Sequence, residues 1–384
     1  MLILVFILAT TVSFCGQKAL HARSDGCPAQ EDRAMVNEQH DTQYGPQLLH
    51  MAYTIARRIM IIDCHSHNLM QPRSETRPKQ VGFHMLEKAG VKGIVQSFPL
   101  DFAGIADPSK DIPMNIEETK KRIRDESMKI AVALKSGDFD SPRGDDTVTV
   151  LLALEYFNGI FDGRIEMAEK YHAAGVREIG LVRAGGPDSI FAGDRLTRFG
   201  TDLIGELNRL GIICDITHMP PSAQEKVIEE SKSPVILSHT AAFGLVNSEY
   251  NATDSILEKL ASKDGMVCVT FFSGQLSAKS LARANEGIRP DLIPRAGVEE
   301  LVDQIDYLKK KVGIDRVGIG SDYGGSGRNS PEGLETIEGF PLIIYHMLKR
   351  GYTEDEIEKV MGLNFIRFFE KVENEAGQRR EMKS

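Results

Sequence analysis

The sequence predicts an α/β protein with a (β/α)8 TIM-barrel fold, as a single catalytic domain with additional C-terminal helices. Three observations predict it: eight short runs of β-branched and aliphatic residues, an amphipathic stretch in every gap between them, and a glycine where several of these stretches end. Near-continuous apolar runs of this length are typical of strands buried on both faces. Eight such strands, each followed by a helix, are the number that closes into one barrel.

The predicted strands are the eight apolar runs, each bounded by polar or turn-forming residues. In chain order they are Arg58–Cys64, Val91–Phe98, Val148–Glu155, Val176–Val182, Gly211–Ile216, Pro234–Ser238, Met266–Phe272 and Arg316–Ser321. An open doubly wound sheet is the alternative architecture, and it would favour a GxGxxG turn after an early strand. The first predicted strand instead runs into Asp63, Cys64 and His65, which favours the barrel.

The predicted helices fill the gaps between the strands, and each has one charged and one apolar face. They are Pro78–Ala89, Ile116–Leu134, Arg164–Ala173, Asp202–Leu210, Ser222–Glu230, Ser255–Ser262 and Val298–Lys311, with Leu334–Leu348 and Asp355–Val372 after the last strand. Gly90, Gly175 and Gly211 follow three of them. Glycine adopts the left-handed conformation that ends a helix, so these residues predict where the helices stop.

The barrel domain is predicted over residues 48–384. Residues 1–16 form an apolar run of signal-peptide length, shorter than the ~20 residues that a membrane-spanning helix needs. Residues 17–47 are polar and without periodicity, and they predict a linker or N-terminal extension. We therefore expect an exported protein, periplasmic or extracellular, without a stable membrane anchor. A buried N-terminal extension in place of a signal peptide is the alternative.

The charge balance excludes one class of partner. The chain has 46 Lys and Arg against 55 Asp and Glu, a net charge of −9. Binding to nucleic acid phosphates requires a clustered basic surface, so we expect no nucleic acid partner. A small-molecule or dipeptide substrate is the expected partner, and a homodimer remains an open alternative to a monomer.

Polar residues that could bind a metal follow five of the eight predicted strands. They are His65 and His67, Glu155, His218, His239 and Asp322. The carboxyl ends of the strands form one face of a barrel, where its chemistry is built. His65 and His67 are two residues apart, so their side chains point to the same side of the strand.

Four imidazoles and a glutamate exceed the three protein ligands of one open catalytic zinc. We therefore expect two divalent ions bridged by Glu155, with Zn²⁺ the expected metal and Mn²⁺, Co²⁺ or Fe²⁺ as alternatives. A bridging hydroxide would attack the substrate carbonyl. Asp322 would take the proton and return it to the leaving amine, or else orient a ligand imidazole.

At these residues the sequence resembles the membrane (renal) dipeptidase family of binuclear zinc peptidases. The resemblance extends from about Gln47 to Val372. Its motifs are Ile62-Asp63-Cys64-His65-Ser66-His67-Asn68, Leu154-Glu155, Asp215-Ile216-Thr217-His218, Pro234-Val235-Ile236-Leu237-Ser238-His239-Thr240, Gly318-Ile319-Gly320-Ser321-Asp322-Tyr323 and Val360-Met361-Gly362-Leu363-Asn364-Phe365-Ile366-Arg367. It implies that His65, residue 67 and Glu155 hold one ion, that Glu155, His218 and His239 hold the other, and that Asp322 is the acid/base.

Three positions depart from the family pattern. His67 stands where the family has Asp, Arg183 where it has a His that stabilises the tetrahedral intermediate, and Tyr250 where it has an Arg that binds the substrate carboxylate. We therefore expect Arg183 and Tyr250 to bind substrate in an altered pocket, with a surface position for Arg183 as the alternative. The expected function is a dipeptidase. Other amidohydrolase-type activities (lactonase, deacetylase or deaminase) and a non-catalytic binding protein are the alternatives.

Overall fold

The computed structural model describes residues 45–67, 69, 79–99, 108–125, 130–139, 147–155, 160–181, 189–286, 292–326 and 329–381. The predicted signal peptide, nearly all of the predicted linker and Arg183 lie outside these residues. No helix in the described part of the chain is both long and apolar enough to cross a membrane.

The strands of the structure are short, and most belong to one parallel sheet. They are β1 (Ile61–Ser66), β2 (Val91–Pro99), β3 (Ile130–Val132), β4 (Val148–Glu155), β5 (Val176–Gly180), β6 (Phe191–Ala192), β7 (Arg195–Leu196), β8 (Ile213–Asp215), β9 (Val235–Thr240), β10 (Met266–Val269) and β11 (Val317–Ile319).

The helices lie between and after these strands. They are α1 (Pro46–Arg58), α2 (Phe83–Ala89), α3 (Pro108–Asp125), α4 (Met167–Ala173), α5 (Arg198–Leu210), α6 (Pro221–Glu230), α7 (Asp254–Ser262), α8 (Ser273–Leu276), α9 (Ala278–Asn285), α10 (Val298–Val312), α11 (Phe340–Lys349), α12 (Glu354–Glu358) and α13 (Asn364–Glu381), with a π-helical turn at Lys359–Leu363 between α12 and α13.

Eight strands form the barrel in the order β1-β2-β4-β5-β8-β9-β10-β11. The sheet closes between its ends, because the amide of Asp322 donates to the carbonyl oxygen of His65 at 2.9 Å and the amide of His67 donates to that of Tyr323 at 2.8 Å. All eight predicted strands are found, and the predicted (β/α)8 TIM barrel with additional C-terminal helices is confirmed.

One predicted helix, Ile116–Leu134, is wrong at its end, over residues 130–134. The structure has α3 over Pro108–Asp125 and then β3 over Ile130–Val132, which pairs in parallel with β4. Residues 130–134 read IAVAL, and an apolar run this short fits a helix or a strand equally well. Pairing with the edge of β4 decides between them, and the sequence does not show this tertiary contact.

The helix stops are confirmed where the structure tests them. Gly90 and Gly211 end α2 and α5 in the left-handed conformation, with φ of 72° and 76°, and Gly175 after α4 has φ of 103°. Residues other than glycine rarely adopt these angles.

The interior of the barrel holds one apolar cluster that reaches to its amino-terminal end. It combines side chains from β1, β2, β4, β8, β9 and β10 with Phe365 and Phe369 of α13. Gly362 lets the π-helical turn approach the barrel, because a Cβ atom there would lie 2.4 Å from the carbonyl oxygen of Met60. The C-terminal helices thus close the end of the barrel opposite to the polar residues.

Candidate metal centre

The structure brings together all six polar residues predicted at the strand ends. His65 lies in β1 and His67 just after it, Glu155 ends β4, His218 follows β8, His239 lies in β9, and Asp322 follows β11. His65, His67, Glu155 and His239 are buried, whereas the side chains of His218 and Asp322 keep 19% and 15% exposure. The last two therefore form the solvent-facing side of the cluster.

The carboxylate of Glu155 lies between two pairs of imidazoles. Its Oε2 atom is 2.9 Å from Nε2 of His67 and 3.3 Å from Nε2 of His65. Its Oε1 atom is 3.4 Å from Nε2 of His218 and 3.5 Å from Nε2 of His239. Each carboxylate oxygen thus faces its own pair of nitrogens, as a carboxylate that bridges two cations would.

The donor set fits two metal ions. Within each pair the Nε2 atoms face each other, at 3.2 Å for His65 and His67 and at 2.7 Å for His218 and His239. Two neutral imidazoles with lone pairs this close form a metal chelate, and nitrogen with carboxylate oxygen suits Zn²⁺. Both oxygens of Glu155 are buried without a well-formed hydrogen bond. Two adjoining groups, His65-His67-Glu155 and Glu155-His218-His239, could each hold one ion.

The electrostatics of the cluster also favour a cation. Burial raises the pKa of Glu155, but the neighbouring His65 and His67 outweigh it and hold that pKa well below its usual range. Burial lowers the pKa of His67, yet Glu155 and Asp322 raise it to about 10. Burial and the neighbouring imidazoles of His65 and His218 lower the pKa of His239. Positive charge is therefore stabilised between Glu155 and Asp322.

Hydrogen bonds behind the cluster orient the imidazoles. Nδ1 of His239 lies 2.8 Å from Oγ of Ser238, and that hydroxyl donates to Oδ2 of Asp215 at 2.6 Å. Nδ1 of His67 donates to the carbonyl oxygen of Ser97 at 3.3 Å. An imidazole that donates through Nδ1 keeps the Nε2 lone pair for a metal.

Asp63, in the same strand as His65, takes no part in the ligand cluster. Its carboxylate accepts from the amide and the hydroxyl of Ser321, at 2.8 and 2.6 Å. Asp63 therefore links β1 to the residues just after β11 below the site.

Two of the six residues have strained backbones. His218 has φ of 66° and Asp322 has φ of 55°. Residues other than glycine adopt this region at a cost of the order of 1–3 kcal/mol, and such residues cluster at functional sites. For Asp322 the conformation places Oδ1 3.3 Å from Nε2 of His67, on the exposed side of the cluster.

Of the two predicted substrate-binding residues, the structure describes Tyr250. Its ring lies 6.3 Å from that of His218, nearly perpendicular to it, and the residue is 56% exposed. It therefore stands beside the second imidazole pair at the mouth of the barrel. Arg183 lies outside the described residues.

Sequence reasoning missed the residues that support the ligands. Asp215 and Ser238 lie in the strand motifs, but nothing in the sequence shows that Asp215 accepts from the Ser238 hydroxyl or that this hydroxyl contacts His239. Glu178 in β5 is fully buried, and burial together with Asp215, Cys64 and Glu155 raises its pKa well above the usual range. Its signal was available in the sequence, because a glutamate in the middle of an apolar strand is unusual.

Comparison with known proteins identifies similar chains. The membrane dipeptidase family, peptidase family M19, matches residues 50–383. Dipeptidase 3 of Homo sapiens is 34% identical over 178 residues, which cover 46% of this chain and 33% of that protein. An uncharacterized dipeptidase of Schizosaccharomyces pombe is 31% identical over 241 residues, which cover 60% and 55%. The chain thus spans about a third to about half of the length of these curated relatives.

Solved structures share the fold. The probable dipeptidase PvdM from Pseudomonas aeruginosa has a TM-score of 0.73 at 22% identity, over 86% of this chain and 100% of that one. A metallo peptidase from Rhodobacter sphaeroides, liganded with a phosphinate mimic of the dipeptide L-Ala-D-Ala, has a TM-score of 0.67 at 20% identity, over 82% and 99%. At these identities the likeness concerns the fold alone.

Proposed function

Because the chain belongs to the membrane dipeptidase family, peptidase family M19, we propose that it is a metal-dependent dipeptidase that hydrolyses dipeptides or related small amides. The observation that carries this proposal is the position of Glu155 between two imidazole pairs. A binding protein without catalytic activity would have no need for this constellation together with Asp322.

Two divalent ions, with Zn²⁺ the expected metal, form the proposed cofactor. His65, His67 and Glu155 would hold one ion, and Glu155, His218 and His239 the other. When bound, such a pair of ions activates water and polarises a carbonyl oxygen. As a metal ligand His67 would be neutral where the family has a carboxylate, so this chain's site would carry one negative charge fewer.

The protein's own groups would handle the substrate and the protons. Asp322 would accept a proton from the attacking water and pass it to the leaving amine, a role that its partial exposure and its 3.3 Å distance from His67 support. Tyr250, beside His218, would contact the part of the substrate beyond the scissile bond. Arg183 would bind a substrate anion or stabilise the oxyanion.

The proposal includes export of the chain. Residues 1–16 would be removed as a signal peptide, residues 17–47 would form the linker, and residues 48–384 the catalytic domain. Sequencing the N-terminus of the secreted protein tests this, because a chain that still begins at Met1 contradicts it. Light scattering on the same sample distinguishes the monomer from the homodimer.

The decisive experiment measures the release of amino acids from a panel of dipeptides, including D-residues on the C-terminal side. The protein is assayed after removal of metal and again after addition of Zn²⁺. We expect turnover only with metal, and about two ions per chain by elemental analysis. A metal-replete protein that cleaves no peptide contradicts the peptidase assignment.

The same samples test the alternative activities. Lactones, N-acetylated amino acids and aminated bases are added to the panel. One ion per chain, together with turnover of one of these compounds, would identify a lactonase, deacetylase or deaminase in place of the dipeptidase.

A further inference from the structure

Glu178 is a buried carboxyl group that the proposed reaction does not use. It lies in β5, and its residue is 1% exposed. One atom each of Glu178, His65 and Asp215 lie within 4.8 Å of one another. Among the described residues, no hydrogen-bond donor reaches Oε2 of Glu178. A buried oxygen without a donor is destabilising, so its presence beside a proposed metal ligand calls for a role.

The imidazole of His65 needs a hydrogen-bond acceptor at the nitrogen that faces away from the proposed metal site. Its Nε2 atom faces Glu155 at 3.3 Å, so Nδ1 is the nitrogen that must be held from behind. The described contact of Nδ1 is a long one, 3.4 Å to the hydroxyl oxygen of Ser238. That hydroxyl already donates to Asp215 at 2.6 Å and lies closer to His239, at 2.8 Å. His65 therefore lacks the short acceptor that a metal-binding imidazole ordinarily has.

A third metal ion does not explain the group of His65, Glu178 and Asp215. The carboxylate of Asp215 accepts hydrogen bonds from the amide and hydroxyl of Thr217, at 3.0 and 2.6 Å, and from the amide and hydroxyl of Ser238, at 3.2 and 2.6 Å. Oδ1 accepts three of these bonds and Oδ2 accepts the one from the Ser238 hydroxyl, so both oxygens already hold donors of the residues behind the site. The remaining groups are Nδ1 of His65, whose described contact is the long one to Ser238, and Oε2 of Glu178, which no described donor reaches.

We propose that Glu178 is a positioning residue that accepts a hydrogen bond from Nδ1 of His65 and so orients this imidazole toward the first metal ion. The inference rests on the proposed metal centre. Because one ligand atom of Glu178 and one of His65 lie within 4.8 Å of each other, a rotation of the Glu178 side chain would bring its oxygen to Nδ1. The first ion would also be held by His67, an imidazole where the family has a carboxylate. Glu178 thereby supplies a carboxyl group behind this ion. The second ion, on His218 and His239, depends instead on Ser238 and Asp215.

The test compares metal binding by the wild type, Glu178→Gln and Glu178→Met. Gln keeps an acceptor oxygen of the same shape, whereas Met fills the space without one. The control is Thr149→Val in β4, a buried strand residue whose hydroxyl bonds to the carbonyl oxygen of Asp138. Zn²⁺ is titrated in the presence of a competing chelator to obtain two dissociation constants per chain. The absorption spectrum of the Co²⁺-loaded protein reports the ligand geometry.

We expect Glu178→Met to raise one of the two dissociation constants about 10- to 100-fold, to leave the other within about threefold, and to change the Co²⁺ spectrum. Glu178→Gln should show a smaller loss at the same ion, and it keeps the test valid if the Met variant does not fold. Two constants that stay within threefold in both variants, or that change by the same factor, overturn the role of Glu178. A wild-type protein that binds no metal contradicts the proposed function itself.

Discussion

The backbone amide of Asp322 donates a hydrogen bond to the carbonyl oxygen of His65 at 2.9 Å. This bond joins the residues after the last strand of the barrel to the first strand. It also holds the proposed acid/base, Asp322, directly beside the proposed metal ligand His65. Closure of the barrel and assembly of the site are therefore one structural event, and a variant that opens the closure should damage both.

Replacing Asp322 by Asn tests its role as acid/base. Asn tolerates the left-handed conformation at φ of 55°, so the backbone should be preserved. Because the amide cannot accept the proton, we expect kcat to fall about 10²- to 10⁴-fold while both metal ions stay bound. Kinetics and elemental analysis of the same preparation measure this. Loss of an ion from the variant would instead identify Asp322 as a metal ligand or its support.

Replacing Glu155 by Gln tests the bridging role. The amide offers one neutral oxygen and a nitrogen that cannot ligate, so it can contact at most one of the two ions and no longer supplies the negative charge between them. We expect metal content to fall below one ion per chain and activity to fall at least about 100-fold. Glu87→Gln, at an exposed position of α2, is the matched control and should keep both. Full activity in the Glu155→Gln variant would be incompatible with a bridging carboxylate.

Ser238→Ala removes the hydroxyl between Asp215 and His239. The Nδ1 atom of His239 then loses its 2.8 Å partner, so its ring is no longer held toward the ion. We expect affinity for the ion on His218 and His239 to fall about 10- to 100-fold. Ser233→Ala is the control, because the hydroxyl of that buried serine has no described partner. Equal effects of the two substitutions on metal affinity would argue against the proposed orientation of His239.

The clustering of the proposed ligands was predictable from the sequence because strand periodicity and barrel topology act together. The spacing of His65 and His67 places both imidazoles on one side of β1, and every barrel strand ends at the same face. The residues behind the ligands were not predictable, since the partner of Nδ1 depends on distances of a few tenths of an ångström between strands. Glu178 shows this limit: the sequence marks it as unusual, but only the folded barrel brings it near His65 and Asp215.

The wrong prediction of a helix over residues 130–134 has a similar cause. Ile130–Val132 carries no local feature that separates a short edge strand from the last turn of a helix. Its parallel pairing with β4 is a tertiary contact, and the sequence pattern does not show it.

His346 predicts loss of stability in mild acid. Burial in α11 lowers its pKa below 6.5; Glu299 opposes this, and Lys349 and Arg350 add to it. His346 therefore has a lower pKa in the folded chain than in the unfolded chain, and between these two pKa values the unfolded chain binds more protons. The free energy of unfolding thus falls as the pH drops below about 6.5. His346→Gln should reduce the proton uptake on unfolding by at most about one proton. Denaturant unfolding of metal-saturated protein from pH 5 to 8 measures it, with exposed His84→Gln as the control; identical slopes in all three proteins would refute it.

Gly362 tests the packing that closes the lower end of the barrel. It lies in the π-helical turn before α13, and a Cβ atom there would lie 2.4 Å from the carbonyl oxygen of Met60 and 3.2 Å from the side chain of Ile62. A backbone oxygen cannot give way as a flexible side chain can, so the turn must move away from β1. We expect Gly362→Ala to lower the free energy of unfolding by about 1–3 kcal/mol.

The matched control for Gly362 is Gly205, an exposed glycine inside α5 where an added Cβ atom would have no neighbour within 4 Å. Gly205→Ala should raise the free energy of unfolding by about 0.5–1 kcal/mol, because alanine loses less backbone entropy in a helix. The opposite signs separate a steric cost from the general effect of replacing glycine. If both substitutions stabilise the protein in denaturant titrations, the close approach of the C-terminal turn to β1 is not what requires a glycine at residue 362.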